Sequence, residues 1–294
     1  MLPKPSSSAQ RLSYIGYRLL ARFAEILPAS AIERVSSVAA SAAVRVLPGK
    51  VRIISDNLTP VLGTAPSPQL IHDSFASYVR FWLESLRLPA VPAEWLEDHF
   101  TVEGLEFMDQ AVAEDRPIIV ALSHLGNWDI AGAWFTSRGL DLGVVVENLA
   151  SKELFEWFKG FRESIGLEVL TEGPTLTSQL LQRLKNGGAI ALLCDRDVHN
   201  SGKPATFFGR QVSIVRGPAV LALRTNAVLL PTAIYQTANS SHRAVISPPI
   251  DTTRRGSLSA DTERITAELL GIFEDMIRRA PEQWHVFGPY WDRD

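Results

Sequence analysis

The sequence contains one cysteine, Cys194, among 294 residues. A single cysteine excludes a fold held by internal disulfides and is consistent with a reducing compartment. The chain also lacks an excess of basic residues, since its formal net charge is -3. This argues against a nucleic-acid-binding protein. With 46% hydrophobic residues, the chain is long enough to form one large hydrophobic core.

Long apolar runs and compact metal-ligand motifs are lacking as well. No stretch reaches the roughly 20 apolar residues that a membrane-spanning helix requires. The first ten residues hold a lysine, two prolines and three serines, so we do not expect a signal peptide. The six histidines are scattered and none belongs to an H-E-x-x-H motif, so we expect no metal site.

The most informative stretch runs from Pro117 to Asp129. Its apolar residues 118–122 predict a buried strand, and the apolar residues after Asp129 recur at helical spacing. Between them lies a polar turn that contains Ser123, His124, Gly126 and Asn127. Ligands bind at the carboxyl ends of strands in open α/β sheets, so His124 is a candidate general base.

Asp129 is one candidate partner for His124. Five residues separate them, and on one continuous helix they would point about 140° apart. They can meet only if His124 lies in the turn and Asp129 lies in the first turn of the following helix. The alternative is a loop histidine whose ring is satisfied by backbone groups. H-x4-D by itself does not decide between these interpretations.

A second apolar strand, 189–193, also ends in charged residues. It is followed by Cys194, Asp195, Arg196 and Asp197, and charged side chains of this kind must be hydrated or paired. They indicate either a site at the strand end or an internal ion pair between Arg196 and an aspartate. We interpret Cys194 as a small core residue rather than a nucleophile, because it ends an apolar run.

Strands alternate with helices from about residue 100 onward, which predicts one α/β domain with a mainly parallel sheet flanked by helices. Before this region we expect a turn from Asn57 to Pro68, and after the second strand a polar loop over 198–208. Gly217 precedes Pro218 at a predicted helix start, where free N–H groups favour an anion. The residues that we expect to contact substrate are Asn127, Trp128, Glu147, Arg162, Arg196, Asp197, Phe208, Arg216, Gly217 and His285.

The N-terminal part differs in charge from the rest. Residues 1–60 contain eight basic and three acidic residues, and apolar residues from Leu12 to Ile26 recur at helical spacing. We therefore divide the chain into amphipathic helices over 1–50 and an α/β domain over 51–294. Basic amphipathic helices bind anionic membranes, although the same pattern fits helices packed on the core with a solvated basic face.

Five ordered blocks give the chain a family resemblance. The segment from His124 to Asp129, H-L-G-N-W-D, is similar to the H-x4-D/E signature of glycerolipid-type acyltransferases. The chain resembles more closely the bacterial lipid A lauroyl/myristoyl acyltransferase superfamily, and within it the phosphatidylinositol mannoside acyltransferases. The other blocks are Asn57-Leu58, Phe161-Arg162-Glu163 with Gly166, Asp195-Arg196-Asp197 with Phe207-Phe208-Gly209, and Pro281-Glu-Gln-Trp-His285.

The resemblance implies a glycerolipid acyltransferase-like fold and a reaction. A palmitoyl-like chain would pass from acyl-CoA, which is a substrate and not a cofactor, to a mannose hydroxyl of a membrane glycolipid. His124 would act as general base without an acyl-enzyme. The mannoside enzymes usually have glutamate at the position of Asp195, so either Asp195 or Asp129 could orient the ring. A peripheral location on the cytoplasmic face of the membrane is expected.

Two other functions stay open at this point. The acceptor could be a lipid A precursor or another glycolipid, since the superfamily signature does not specify the sugar. The chain could also be an inactive protein that binds the membrane surface with the same fold. The retained His124, Asp129 and Asp195 favour an enzyme.

Overall fold

A computed structural model describes residues 7–147, 151–197 and 201–291. Its helices are α1 (Ser7–Ile26), α2 (Ala29–Val46), α3 (Pro48–Leu62), α4 (Pro68–Arg87), α5 (Ala93–His99), α6 (Leu105–Ala113), α7 (Trp128–Ser137), α8 (Lys152–Ser164), α9 (Leu176–Lys185), α10 (Gly217–Thr225) and α11 (Leu258–Arg279). Its strands are β1 (Phe100–Glu103), β2 (Ile118–Leu122), β3 (Leu142–Val146), β4 (Glu168–Thr171), β5 (Ala189–Leu193), β6 (Lys203–Phe207), β7 (Arg210–Ile214), β8 (Val228–Gln236) and β9 (His242–Ile246).

The described strands form a seven-stranded sheet in the order β1-β9-β8-β2-β5-β3-β4 and a separate β6-β7 hairpin. All neighbouring pairs of the large sheet are parallel except β8 and β9. The central strand β2 is buried along its whole length, as its unbroken apolar run predicts. The predicted α/β domain with a mainly parallel sheet is therefore confirmed.

Alternate residues of β2 point into two different hydrophobic cores. Val120 and Leu122 pack in the core that contains residues of α5 to α8, whereas Ile119 and Ala121 pack in the core that contains residues of α3 and α9 to α11. This alternation is the period of two that a strand imposes on its side chains. The sheet thus separates two helical layers.

The N-terminal helices pack against the α/β domain. Helix α2 lies along α4, and α1 contacts α4 and α8. Helix α3 begins at Pro48, so it spans the sequence-based boundary between 50 and 51. Among the described residues, no helix has the length and apolar character that crossing a membrane requires.

The turn that we expected from Asn57 to Pro68 begins later, because α3 continues to Leu62 and passes through Pro60. Ile54, Leu58 and Val61 are buried at helical spacing, and their burial outweighs the helix-breaking tendency of the proline. The Asn57 amide donates to the carbonyl groups of Val286 and Gly288, at 2.9 and 2.8 Å. Both belong to the C-terminal segment, residues 281–291. Asn57 therefore anchors that segment instead of forming a turn.

The polar loop expected over 198–208 contains a strand. Residues 203–207 form β6, which pairs antiparallel with β7 through the turn at Phe208 and Gly209. Phe208 adopts a positive φ of 50° and Gly209 one of 72°, and such a two-residue turn suits a hairpin. Residues 198–200 lie outside the described residues.

Candidate active site

Sheet register brings His124 and Asp195 together. Strands β2 and β5 are parallel neighbours in which Leu122 is paired with Leu193. His124 and Asp195 each follow two residues later, so both emerge at the same edge of the sheet. Glu147 emerges there as well, because it follows β3 on the other side of β5. This edge is where ligands bind in open α/β sheets.

Asp195, rather than Asp129, contacts the His124 ring. The distance from His124 Nδ1 to Asp195 Oδ1 is 2.6 Å, and the His124 backbone N–H donates to Asp195 Oδ2 at 3.1 Å. Trp284 Nε1 donates to the same Oδ2 at 2.8 Å. The sequence analysis identifies the block 281–285, which contains Trp284, but it does not predict this contact. Because Nδ1 is held by the carboxylate, Nε2 is the ring nitrogen that can accept a proton.

The Asp195 carboxylate is fully buried. Burial by itself raises the pKa of Asp195, but the charge and ring hydrogen bond of His124, the Trp284 indole and the His124 backbone N–H together outweigh it. The net result is a lowered pKa. Asp195 is therefore an ionised carboxylate that orients the ring and can stabilise an imidazolium.

The turn that carries His124 is fixed by the C-terminal segment. The His285 N–H donates to the His124 carbonyl at 2.7 Å, and the Gly126 N–H donates to the Gln283 carbonyl at 3.0 Å. Gly126 has a φ of 65°, and a Cβ atom there would lie 1.8 Å from the Ile234 carbonyl oxygen. Only glycine fits both the backbone angle and the close approach.

Asp129 lies in the first turn of α7 and has a different partner. Its Oδ1 accepts a hydrogen bond from Arg162 Nε at 3.2 Å. Asp129 is almost completely buried, while Arg162 retains 19% of its side-chain exposure and lines the same cavity as His124. The pair holds a guanidinium at the wall of the cavity, where it can contact an anionic or polar part of a substrate.

A buried ionic network supports the same turn from α4. Asn127 caps α7 by accepting from the Ile130 N–H at 3.2 Å, and its amide donates to Glu84 at 3.3 Å. Arg80 and His242 also contact Glu84, at 2.6 and 2.9 Å. Burial raises the pKa of Glu84, but His242 and Arg80 outweigh it and the pKa is lowered. The network therefore holds the buried Asn127 in position.

His124 opens onto a cavity of about 610 Å³. Such a volume is within the usual range for sites that bind small molecules. The walls are mainly apolar and come from both sides of the sheet, and Trp128, Glu147, Arg162, Arg196 and Gly217 of the predicted set also line the cavity. The apolar lining side chains include Tyr17, Trp82, Leu122, Phe135, Leu142, Val144, Leu154, Phe158, Leu167, Leu176, Leu180, Leu193 and Leu221.

Other predicted residues lie outside that cavity. Phe208 is buried against Phe207 and Trp284. Asp197 accepts the N–H groups of residues 201 and 202 and so shapes the start of the hairpin. The buried His285 lies within hydrogen-bonding distance of Ser77 Oγ at 2.9 Å, and burial, followed by the nearby His124, lowers its pKa to about 3.

Two further predictions concern Arg216 and Cys194. Arg216 lies beside a neighbouring recess, where it donates to the Pro204 carbonyl at 3.1 Å. Cys194 is 2% exposed and its sulfur lies 3.5 Å from the Leu122 carbonyl. Burial raises the pKa of Cys194, so its thiol is protonated and poorly suited to nucleophilic attack. This agrees with its interpretation as a core residue.

We predict that Trp284→Phe lowers kcat about tenfold. The change keeps an aromatic ring in the cluster but removes the indole N–H that donates to Asp195. The loss of one hydrogen bond to a charged group lowers a rate by about this factor. The measurement is the steady-state rate of the acyl transfer that the family resemblance implies. Trp291→Phe is the matched control, because its indole donates to the Asn57 carbonyl and not to Asp195. Equal losses in the two variants would show that the Trp284 bond has no specific role.

Comparisons with known proteins identify the family to which the chain belongs. The family profile described as bacterial lipid A biosynthesis acyltransferase matches residues 4–293, and the chain belongs to this family. The prediction of an acyltransferase is confirmed by this match. The chain is also 34% identical over 244 residues to a phosphatidylinositol mannoside acyltransferase of Mycolicibacterium smegmatis, covering 81% of this chain and 78% of that protein. Identity to the protein of the same name from Mycobacterium tuberculosis is 35% over 247 residues, covering 81% and 76%.

Proposed function

We propose that the protein transfers a long acyl chain from acyl-CoA to a mannose hydroxyl of a phosphatidylinositol mannoside, with His124 as general base. The observation that carries this proposal is the His124–Asp195 pair, whose ring opens onto a large apolar cavity. The names of the relatives support the choice of acceptor, and the family supports acyl transfer. No cofactor is required, because acyl-CoA is itself a substrate.

The proposed chemistry is direct transfer. His124 Nε2 accepts the hydroxyl proton while the oxygen attacks the thioester carbonyl, and Asp195 stabilises the imidazolium that forms. The tetrahedral intermediate then expels the CoA thiolate, which leaves readily, and the imidazolium returns a proton to it. The buried and protonated Cys194 offers no thiolate for an acyl-enzyme, which supports the direct route.

The cavity supports a long acyl chain. It extends from His124 and Trp128 at the carboxyl edge of the sheet to Leu142, which is the first residue of β3. Its wall therefore runs along the strands for the length of β3, about 17 Å. Burial of each CH₂ group in such a wall contributes about 0.8 kcal/mol, so a long chain gains more than a short one.

The test of the acceptor is a parallel assay. Purified protein is mixed with palmitoyl-CoA and either a mannosylated phosphatidylinositol or a lipid A precursor, and CoA release and lipid mass are followed. We expect a palmitoylated mannoside and no palmitoylated lipid A. Transfer to lipid A alone would contradict the acceptor but keep the chemistry. Transfer to neither would favour the inactive membrane-binding protein.

We also propose that the N-terminal helices hold the protein peripherally on the cytoplasmic face of the membrane. Along α1, Ile15, Leu19, Phe23 and Ile26 are 44%, 65%, 43% and 79% exposed. The exposed basic side chains Arg18 and Arg22 lie on the same helix, and Arg34 and Arg45 are exposed on α2. An apolar stripe with basic neighbours fits an anionic bilayer, where the lipid acceptor resides.

We predict that Leu19→Asp combined with Phe23→Asp reduces binding to vesicles at least about tenfold, since two large apolar side chains no longer enter the bilayer. The measurement is co-sedimentation with vesicles of phosphatidylcholine and phosphatidylinositol. Val112→Asp is the control, because Val112 is 57% exposed on α6 and lies outside the stripe. Unchanged binding of the double variant would contradict membrane docking through α1.

A further inference from the structure

A second recess of about 710 Å³ lies next to the acyl cavity. It is formed by α9, α10, α11 and the start of β6. Leu180, Gly217 and Leu221 line both spaces, so they adjoin one another. Its lining combines apolar side chains with a set of polar and basic ones, namely Thr177, Ser201, Lys203, Arg216, Arg224 and Thr262.

Three cations give the recess its charge. Lys203 and Arg224 are exposed, and neither has an ion pair among the described residues. Arg216 lies 3.7 Å from Glu263, which is itself 70% exposed, and its buried Nε has no hydrogen-bond partner in the described part of the chain. The first turn of α10 adds N–H groups and the positive end of the helix dipole at Gly217. These features together favour phosphate groups.

The position of the recess distinguishes between the two phosphate-containing substrates. Helix α1, with its exposed apolar stripe, packs on α4 and α8, whereas the walls of the recess come from α9 to α11 on the other face of the sheet. The phosphodiester of a lipid acceptor stays near the bilayer surface. The head of an acyl-CoA is soluble and carries several phosphates, so it can extend away from the membrane.

We infer that this recess binds the nucleotide phosphates of the acyl-CoA donor, while the acyl chain occupies the adjoining cavity. The inference rests on the proposed function, because it specifies how the donor of that reaction is recognised. The thioester of a donor bound in this way lies between the basic recess and the apolar cavity, near His124. Lys203 and Arg224 are specificity residues for the donor in this arrangement and have no part in proton transfer.

The test removes two cations without touching the His124 site. In a variant with Lys203→Ala and Arg224→Ala, we expect KM for palmitoyl-CoA to rise roughly tenfold or more, because two charge-assisted contacts are lost. We expect kcat, KM for the mannoside acceptor and KM for palmitoyl-pantetheine, which lacks the nucleotide phosphates, to stay at their wild-type values. The matched control is Lys185→Ala with Arg210→Ala, which removes the same charge from exposed positions outside the recess.

A binding measurement makes the test independent of turnover. Calorimetric titration with adenosine 3′,5′-bisphosphate should show binding to the wild type and to the control variant, and at least tenfold weaker binding to the Lys203/Arg224 variant. If all three proteins bind it equally or not at all, the inference is wrong even when acyl transfer itself is observed. A rise in KM for the mannoside instead would assign the recess to the acceptor phosphate and also overturn the inference. Failure of transfer with intact, recess-dependent nucleotide binding would count against the proposed function alone.

Discussion

Replacing His124 by alanine is expected to lower kcat by roughly 10²- to 10⁴-fold, the range that a positioned general base contributes. Neither Cys194 nor Asp129 can replace the ring as base, because Cys194 is buried and protonated and Asp129 is bound to Arg162. The side chain of His124 retains 18% of its exposure, so its removal should not destabilise the core. The measurement is the rate of palmitoyl transfer to the mannoside at saturating substrates.

The control for this variant is His99→Ala. His99 is a partly buried histidine on α5 that stacks on Trp95 and lies outside the cavity, so its loss should leave kcat unchanged. Circular dichroism and thermal melting should show that both variants are folded. A folded His124→Ala protein that transfers palmitoyl at the wild-type rate would contradict the assignment of the general base.

The second large effect is expected for Asp195→Asn, with a loss in kcat of roughly 10²- to 10⁴-fold. The amide has the same shape, but it carries no charge to stabilise the imidazolium and no longer holds Nδ1 as a hydrogen-bond donor. Because the pKa of Asp195 is lowered, the carboxylate stays ionised at neutral and mildly acidic pH. Protonation of Asp195 should therefore not limit the rate in that range, and kcat should be measured across it.

A double-mutant cycle identifies the acid that acts through His124. Asp195→Asn should cost little further in a His124→Ala background, because groups that act as a unit are not additive. Asp129→Asn should instead raise KM for the substrate that contacts Arg162, because Asp129 holds Arg162 at the cavity wall. Wild-type kcat for Asp195→Asn together with a large loss in kcat for Asp129→Asn would show that Asp129 is the orienting acid.

The sequence predicts the strands that carry the site because each is a short apolar run followed by polar residues. His124 and Asp195 were both identified from this pattern. Their contact was not, since it depends on the sheet order that makes β5 the neighbour of β2. An H-x4-D spacing draws attention to Asp129 because it is local, but the partner of the ring lies 71 residues away.

Contacts across long sequence separations account for the other differences. Asn57 has the composition of a turn residue, yet its amide is bound to carbonyl groups about 230 residues later. Trp284 looks like an ordinary core aromatic until the fold places its N–H against Asp195. Glu84 lies on an amphipathic helix and gives no local sign that it supports Asn127. Tertiary packing decides each of these roles.

The most direct test of direct transfer uses intact-protein and lipid mass spectrometry in one experiment. The protein is first mixed with palmitoyl-CoA alone, and the mannosylated phosphatidylinositol is added afterwards. Direct transfer with His124 as base predicts an unmodified protein mass throughout, and a palmitoylated mannoside with matching CoA release only after the acceptor is added. A protein that gains a palmitoyl group before the acceptor arrives, and loses it to the acceptor afterwards, would contradict the mechanism.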